Sequence, residues 1–240
     1  MDLALMESIR SLRLGLRLLD ASPVSLPKLF EQGSGKSHSS TLCFLNVSAT
    51  IRPLRVALSI VAAVDAPATR LSRFLASGLY PLLRQAIPAH LDSTSSFLQA
   101  IASVELSSNS EFASLDIVSL YGSIPLEDGM FPGALSIVTQ FFDAHRSGTL
   151  LAPVTKEDFA ALLRLSLTSD TIQVNSTRFK QVSGMQMGNN LSTSVAIIFM
   201  SYIEKQIIEE LSGRIKLWLR YIEDVFVIFE DISAGAPQNV

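Results

Sequence analysis

An acidic pair near the end of this chain lies between two short apolar segments. Glu223 and Asp224 separate residues 217–222 from residues 225–229, and both segments have the β-branched and aromatic residues typical of strands. The pattern predicts a β-hairpin with both carboxylates at its tip. Adjacent carboxylates repel each other, so a site that keeps them together usually supplies a cation such as Mg²⁺. The alternative interpretation is a plain acidic turn.

Asp116 is the candidate that would complete such a site. Residues 111–119 predict a short strand in which Asp116 has apolar neighbours, and a carboxylate in that setting needs a partner or a cation. A split β-α-β-β arrangement can bring strands that are distant in sequence together in one antiparallel sheet. Asp116, Glu223 and Asp224 would then form the kind of carboxylate group that holds two metal ions for phosphoryl transfer.

The remaining pattern predicts the elements that would position these carboxylates. Helices are expected at residues 1–19, 69–86, 93–104, 126–144 and 154–167, and a β-hairpin is expected at residues 171–182. A glycine-bearing loop at residues 183–192 leads into a long helix that ends near Gly213. Residues 21–41 have the Pro, Gly and Ser content of a linker, and residues 42–64 are expected to be extended.

Composition limits the possible partners and compartments. The 240 residues suffice for one large domain or two small ones, with 48% hydrophobic and 17% charged residues. The net charge of −3 counts against strong nucleic-acid binding by this chain alone. One cysteine and three histidines exclude an internal disulfide, argue against a Cys/His zinc site and favour an intracellular location. The apolar run at residues 195–203 is too short to span a membrane, so no membrane association is expected.

Three segments carry a resemblance to a known family. LDIVSLYGSIP at residues 115–125, GMQMGNNLSTSVAIIFMSYIE at residues 184–204 and RYIEDVFVIF at residues 220–229 resemble, in order, the three palm motifs of the reverse transcriptase of Penelope-like retroelements. That family is similar in turn to telomerase reverse transcriptases. IRPLR at residues 51–55 and RLSRFLASGLYPLL at residues 70–83 resemble segments of its fingers.

The resemblance implies a fold and an activity. The fold would be α+β, with a palm-like split βαβ antiparallel sheet, packed helices, a partial fingers region and no thumb. Residues 1–48 would form an N-terminal helix and linker, residues 49–110 the partial fingers and residues 111–240 the palm. The activity would be RNA-directed DNA synthesis with two Mg²⁺ ions, or Mn²⁺ in their place. The partners would be an RNA template, a DNA primer and deoxynucleoside triphosphates, bound weakly without a thumb, and the family suggests the nucleus.

The resemblance also assigns roles to individual residues. Metal ligands would be the carboxylates of Asp116, Glu223 and Asp224 and the carbonyl oxygen of Ile117; the nucleotide would contact Tyr121 at its sugar, the backbone at Gly188, and Arg52 or Arg55 at its triphosphate. Each residue also has a structural alternative. Tyr121 would then be a core aromatic, Gly188 a turn glycine and the arginines part of a solvated edge.

Two departures from the family pattern bear on activity. Glu223 stands where the family has Asp, and its extra methylene displaces the carboxylate by about 1.5 Å. An error of about 1 Å in a reacting site can cost on the order of 10²-fold in rate. Asn189 and Asn190 replace a Ser-Pro pair, so the loop loses a proline restraint. A non-catalytic palm remnant that acts as a binding or assembly module is therefore the alternative, and an RNA-templated RNA polymerase, which Tyr121 argues against, is a third.

Overall fold

The computed structural model describes residues 67–230, apart from residues 118, 170, 175–176, 182 and 212, together with the strand Phe30–Gln32. The helices are α1 (Thr69–Ala86), α2 (Thr94–Ala102), α3 (Leu120–Ser123), α4 (Ala134–His145), α5 (Lys156–Thr168) and α6 (Ser192–Glu210). The strands are β1 (Phe30–Gln32), β2 (Ser110–Asp116), β3 (Thr171–Val174), β4 (Thr177–Gln181), β5 (Ile215–Tyr221) and β6 (Asp224–Glu230). The predicted segments 1–19 and 42–64, with Arg52 and Arg55 in the second, lie outside the described residues.

The strands form two three-stranded antiparallel sheets, in the orders β1-β4-β3 and β2-β6-β5. Both predicted hairpins, β3-β4 and β5-β6, are present, and the expected combination of helices with antiparallel sheet is confirmed. The strand β1 corrects one prediction, because it lies within residues 21–41, which were interpreted as a linker. Three residues are too few to show a period in sequence, and this strand forms because β4 offers an edge to pair with.

The β2-β6-β5 sheet has two distinct faces. Its inner face belongs to one apolar core with α1, α4, α5 and α6, and it contributes Trp218, Val225, Val227 and Phe229 to that core. The strand register places alternate residues on the outer face: Phe112, Ser114, Asp116, Leu219, Tyr221, Asp224, Phe226 and Ile228. Polar candidates for chemistry therefore share the face that points away from α1, α4, α5 and α6.

Helix α1 matches its predicted bounds, since Leu75, Leu79, Leu82 and Leu83 recur at helical spacing and are buried. Helix α5 begins after Thr155, whose hydroxyl oxygen accepts a hydrogen bond from the Asp158 N–H, as the spacing of these two residues predicts. No helix in the described ranges is long and apolar enough to cross a membrane.

The start of α4 corrects the helix predicted at residues 126–144. The helix begins at Ala134, because residues 126–133 fold back as a loop. The Asp128 carboxylate accepts hydrogen bonds from the Gly133 N–H at 2.8 Å and from the Ser136 hydroxyl at 2.7 Å. A Cβ on Gly133 would lie 2.4 Å from the Glu127 carbonyl, so the loop closes tightly over the helix start.

Candidate active site

Asp116 and Asp224 lie directly opposite each other in the β2-β6 ladder. Residues opposite each other in an antiparallel pair have Cα atoms about 4.5–5.5 Å apart, and their side chains leave the same face of the sheet. Both side chains are exposed on the outer face. Neither carboxylate has an ion pair or side-chain hydrogen bond within the described residues. Two carboxylates from distant parts of the sequence are thus brought together with their oxygens free.

The turn between β5 and β6 consists of Ile222 and Glu223, which corrects the predicted tip at Glu223 and Asp224. Asp224 is already the first residue of β6 and pairs with Tyr221. Ile222 has φ of 51°, a left-handed conformation that costs an L-residue about 1–2 kcal/mol. The Glu223 carbonyl accepts a hydrogen bond from the Ile117 N–H at 3.1 Å, so the turn is tied to the end of β2.

Beyond Asp116 the chain leaves the sheet, three residues before the predicted end of this strand at Ser119. Ser119 has φ of 53° and starts α3, a single turn that carries Tyr121. The Tyr121 ring is half-buried and packs against the core, while its hydroxyl lies 3.3 Å from the Thr193 hydroxyl. The position thus has a structural role, and the predicted contact with a nucleotide sugar stays a prediction.

The loop before α6 contacts α3 through backbone atoms. The Met185 N–H donates to the Tyr121 carbonyl at 2.7 Å. Gly184 has φ of +70°, and a Cβ there would lie 2.5–2.7 Å from the Gly122 backbone. Gly184 is therefore the glycine that allows two backbone segments to meet in this structure, whereas Gly188 is half-buried and its predicted role is untested.

Asn189 supplies a restraint that the sequence did not predict. Its buried side chain donates from Nδ2 to the Ser166 carbonyl at 2.9 Å and accepts from the Leu191 N–H at 2.9 Å. The Ser192 hydroxyl donates to the Gln186 carbonyl at 2.6 Å. The loop, which lacks the proline restraint of the family, is therefore fixed to α5 by an amide side chain.

Arg220 and Glu204 form a buried ion pair that sequence reasoning missed. Arg220 lies on the inner face of β5 and is 0% exposed, and its Nε is 2.6 Å from Oε1 of Glu204 on α6. The same oxygen accepts the Trp218 indole N–H at 3.0 Å. A signal was present in the sequence, because Arg220 interrupts the apolar segment at residues 217–222 and Glu204 follows directly on the apolar run at residues 195–203.

The edge of β5 that does not pair with β6 forms hydrogen bonds with the segment after α1. The Arg220 N–H donates to the Ala89 carbonyl at 2.7 Å, and the Leu91 N–H donates to the Arg220 carbonyl at 2.8 Å. His90 lies between them, and its Nδ1 is buried without a hydrogen-bond partner in the described part of the chain. Burial lowers the pKa of His90, and the charge of Arg220 lowers that pKa further.

A cavity of about 630 Å³ opens on the outer face beside Asp224. Helix α2 forms one wall, with Phe97 packed edge-on to Phe226 at a ring distance of 5.4 Å. Tyr221 and Ser114 line the sheet side. Cavities of this size commonly hold small ligands, so the exposed carboxylate adjoins space for one.

The arrangement of this sheet and its helices recurs in solved structures. Apo telomerase from Candida tropicalis matches with a TM-score of 0.60 and 13% identity, over 86% of this chain and 41% of that one. Telomerase from the same organism in complex with a fragment of telomeric RNA matches with a TM-score of 0.58 and 13% identity, over 85% and 38%. The corresponding complex from Candida albicans gives 0.53 and 10%, over 85% and 40%.

The chain has a telomerase-like fold. At these identities the likeness concerns the fold alone, and the chain spans about two fifths of the length of the matched telomerase chains. No family model and no curated protein matches the sequence.

The carboxylates of this telomerase-like fold can be tested against a magnesium site. Mg²⁺ binds through one or two carboxylates together with substrate phosphates and water, and Asp116 and Asp224 supply that number on one face. Within the described residues no three His, Cys, Asp or Glu side chains converge on a metal position, and the predicted role of Glu223 as a further ligand stays a prediction. The pair thus supplies the carboxylates that one Mg²⁺ ion uses, and the second predicted ion stays a prediction.

Proposed function

We propose that this chain is the palm, with part of the fingers, of an RNA-directed DNA polymerase. The observation that carries the proposal is the pairing of Asp116 with Asp224 on the exposed face of the sheet. The telomerase-like fold supports a reverse transcriptase at a distant level. The residues of the three sequence motifs support the finer proposal, a retrotransposon enzyme of the Penelope-like type. The likeness to telomerase structures does not distinguish this type from others.

In the proposed reaction the 3′-hydroxyl of a primer attacks the α-phosphate of a deoxynucleoside triphosphate and pyrophosphate leaves. Asp116 and Asp224 would hold Mg²⁺, or Mn²⁺ in its place, with the Ile117 carbonyl and Glu223 as further oxygen donors. Bound Mg²⁺ supplies stabilisation of the charge that develops on the phosphoryl oxygens. Tyr121, held by Thr193, would lie against the sugar of the incoming nucleotide.

The proposed partners are an RNA template, a DNA primer and deoxynucleoside triphosphates. One telomerase structure from each of the two Candida species contains a fragment of telomeric RNA, which supports an RNA partner in general terms. Gly188, Arg52 and Arg55 keep their proposed contacts with the nucleotide. A nuclear location is proposed from the family resemblance alone.

A non-catalytic palm that acts as a binding or assembly module is the second candidate. It is favoured by the absence of a third converging carboxylate among the described residues. The substitution Glu223→Asp helps to separate the polymerase from the binding module. It restores the family residue at the turn and shortens the side chain by one methylene, so a polymerase limited by Glu223 should gain activity.

Primer extension on an RNA template, in Mg²⁺ and in Mn²⁺, tests the proposal. Extension by the purified protein should fall by at least about 10²-fold in Asp116→Ala and in Asp224→Ala, since each removes a metal ligand. The matched control is Glu111→Ala, which removes an exposed carboxylate from the opposite end of β2 and should extend like the parent.

The outcomes separate the two candidates. Loss of extension in both aspartate variants, but not in the control, supports the polymerase. If neither the parent nor Glu223→Asp extends a primer, the polymerase proposal fails for this chain. Binding of a labelled RNA–DNA hybrid by that inactive protein, measured by fluorescence anisotropy, would then support the binding module.

A further inference from the structure

The buried pair Arg220–Glu204 is a costly feature of the core. Arg220 is 0% exposed and Glu204 is 2% exposed, and the second carboxylate oxygen of Glu204 has no partner within the described residues. Removing two charges from water is unfavourable, and an apolar pair of similar volume is often at least as stable. Folding stability therefore gives a weak reason for the pair, and its contacts point to another role.

The guanidinium of Arg220 connects α6 with the acidic turn. Its Nε contacts Glu204, its Nη2 donates to the Ile197 carbonyl at 3.0 Å, and its Nη1 donates to the Ile222 carbonyl at 3.2 Å. The first two acceptors belong to the same helix, whereas the third belongs to the turn. A planar guanidinium can make these bonds in fixed directions, and a lysine ammonium cannot reproduce them.

Ile222 is the residue of the turn that most needs support. Its φ of 51° is unfavourable for a β-branched side chain, so the conformation persists only where its surroundings impose it. Arg220 holds the Ile222 carbonyl from the core side. The Ile117 N–H holds the next carbonyl, that of Glu223, from the end of β2. Asp224 follows at once and faces Asp116.

We propose that Arg220 is a positioning residue for the carboxylate site, and that Glu204 orients it. Glu204 is fixed in turn by the Trp218 indole. The pair holds the strained turn at Ile222, and the turn sets where Glu223 and Asp224 lie relative to Asp116. The catalytic consequence of this positioning rests on the proposed function, whereas the positioning itself can be measured without activity.

The double variant Arg220→Met/Glu204→Gln tests the proposal. It leaves no unpaired buried charge, and the glutamine carbonyl still accepts the Trp218 indole, so the protein is expected to fold. NMR-detected hydrogen exchange then compares the Ile117 amide, which bonds to the turn, with the amides of α4. We expect the ratio of these exchange rates to rise by about 10-fold or more, because the turn loses its hold from the core side.

A control separates positioning from general loss of stability. Leu75→Ala removes a fully buried side chain of α1 and lowers the melting temperature without touching the turn. At a matched loss of melting temperature its exchange ratio should equal that of the parent. Arg220→Lys provides a second variant. It keeps the positive charge beside Glu204 but loses the planar guanidinium that bonds the Ile222 carbonyl, so its exchange ratio should also rise. An unchanged ratio in both Arg220 variants would overturn the positioning role.

Mn²⁺ binding, measured by electron paramagnetic resonance, distinguishes this inference from the proposed function. Weaker Mn²⁺ binding in the double variant than in Leu75→Ala supports positioning of the metal site. If the parent itself binds no Mn²⁺, the metal site of the proposed function fails, and the exchange ratio still decides whether Arg220 holds the turn. Equal Mn²⁺ affinity in the parent and the double variant contradicts any effect of the turn on the carboxylates.

Discussion

The two faces of the β2-β6-β5 sheet differ in how far their side chains are exposed. On the inner face Val227 is 0% exposed and Phe229 is 6% exposed, and both pack on the helical core. On the outer face Phe112 is 58% exposed, and Asp116 and Asp224 lie in the open beside a cavity. Leu219 and Ile228 are buried on the outer face too, so both faces bury apolar side chains, and the outer face also presents exposed carboxylates that are free to bind a ligand.

This difference shows what positions the carboxylates of the candidate site. Asp116 and Asp224 have no side-chain partners of their own among the described residues, so their positions follow from the backbone that carries them. That backbone is fixed from behind, by apolar packing and by Arg220 on the inner face. The contact between the loop before α6 and α3, where Gly184 meets Gly122, depends on close backbone approach instead.

The largest effect should come from removing an inner-face aromatic. Phe229→Ala is expected to lower the free energy of unfolding by about 3–5 kcal/mol, because it leaves a cavity in the packed core. Phe112→Ala removes the same side chain from the outer face of the neighbouring strand and should cost about 1 kcal/mol or less, through its ring contact with Phe226. Urea denaturation measures both, and equal losses would refute the assignment of the two faces.

Alanine substitutions at two glycines test the backbone contact between Gly184 and Gly122. Gly184→Ala should cost about 3 kcal/mol, of which about 1–2 comes from the positive φ and the rest from overlap with the Gly122 backbone. Gly148 has a similar φ of +79° and nothing within 4 Å of its Cβ position, so Gly148→Ala should show the conformational part alone. Thermal unfolding of the two variants gives the difference, and identical melting temperatures would mean that the two backbones do not meet.

A smaller effect is expected at the loop that precedes α6. Asn189→Ala leaves the Ser166 carbonyl and the Leu191 N–H without their partner, which should cost about 2 kcal/mol. The adjacent Asn190 is exposed, and Asn190→Ala should change the free energy of unfolding by no more than about 0.5 kcal/mol. Both values come from urea denaturation. Comparable losses would show that the loop is not fixed through Asn189.

The parts of the molecule that could be predicted are those governed by local periodicity. Two short apolar segments rich in β-branched and aromatic residues identify the β5-β6 hairpin, and leucines at helical spacing give the bounds of α1. The closeness of Asp116 and Asp224 was predicted because a lone acidic residue in one strand was matched with the acidic hairpin. These features depend on residues close in sequence, or on one charge that needs a partner.

The features that were missed depend on contacts between distant residues. The start of α4 at Ala134 is set by the loop before it: the Asp128 carboxylate accepts the Gly133 N–H, and the Pro125 and Leu126 carbonyls accept the first two N–H groups of the helix. The Gly184 contact involves a backbone segment some 60 residues away in α3. Arg220 could be identified as a buried charge, but nothing local shows that it reaches the turn carbonyl. Long-range polar contacts of this kind leave no period in the sequence.

The smallest predicted effect concerns pH at the edge of the sheet. Burial, and then the charge of Arg220, lower the pKa of His90 below its ordinary value near 6.5. As pH falls below about 6.5 the unfolded state takes up this proton before the folded state does, so stability declines until the folded histidine titrates as well. The urea midpoint of the parent should therefore fall between pH 7.5 and pH 5.5, and it should fall less in His90→Asn.

The window above pH 5 is chosen to isolate His90. Hydrogen bonds from the Gly133 N–H and the Ser136 hydroxyl lower the pKa of Asp128, and the Lys216 ammonium lowers that of Glu230, so both carboxylates lose their contribution only at more acidic pH. If the parent and His90→Asn lose equal stability over the window, His90 is not held neutral beside Arg220. The charge on the inner face would then be screened from the edge of the strand that carries it.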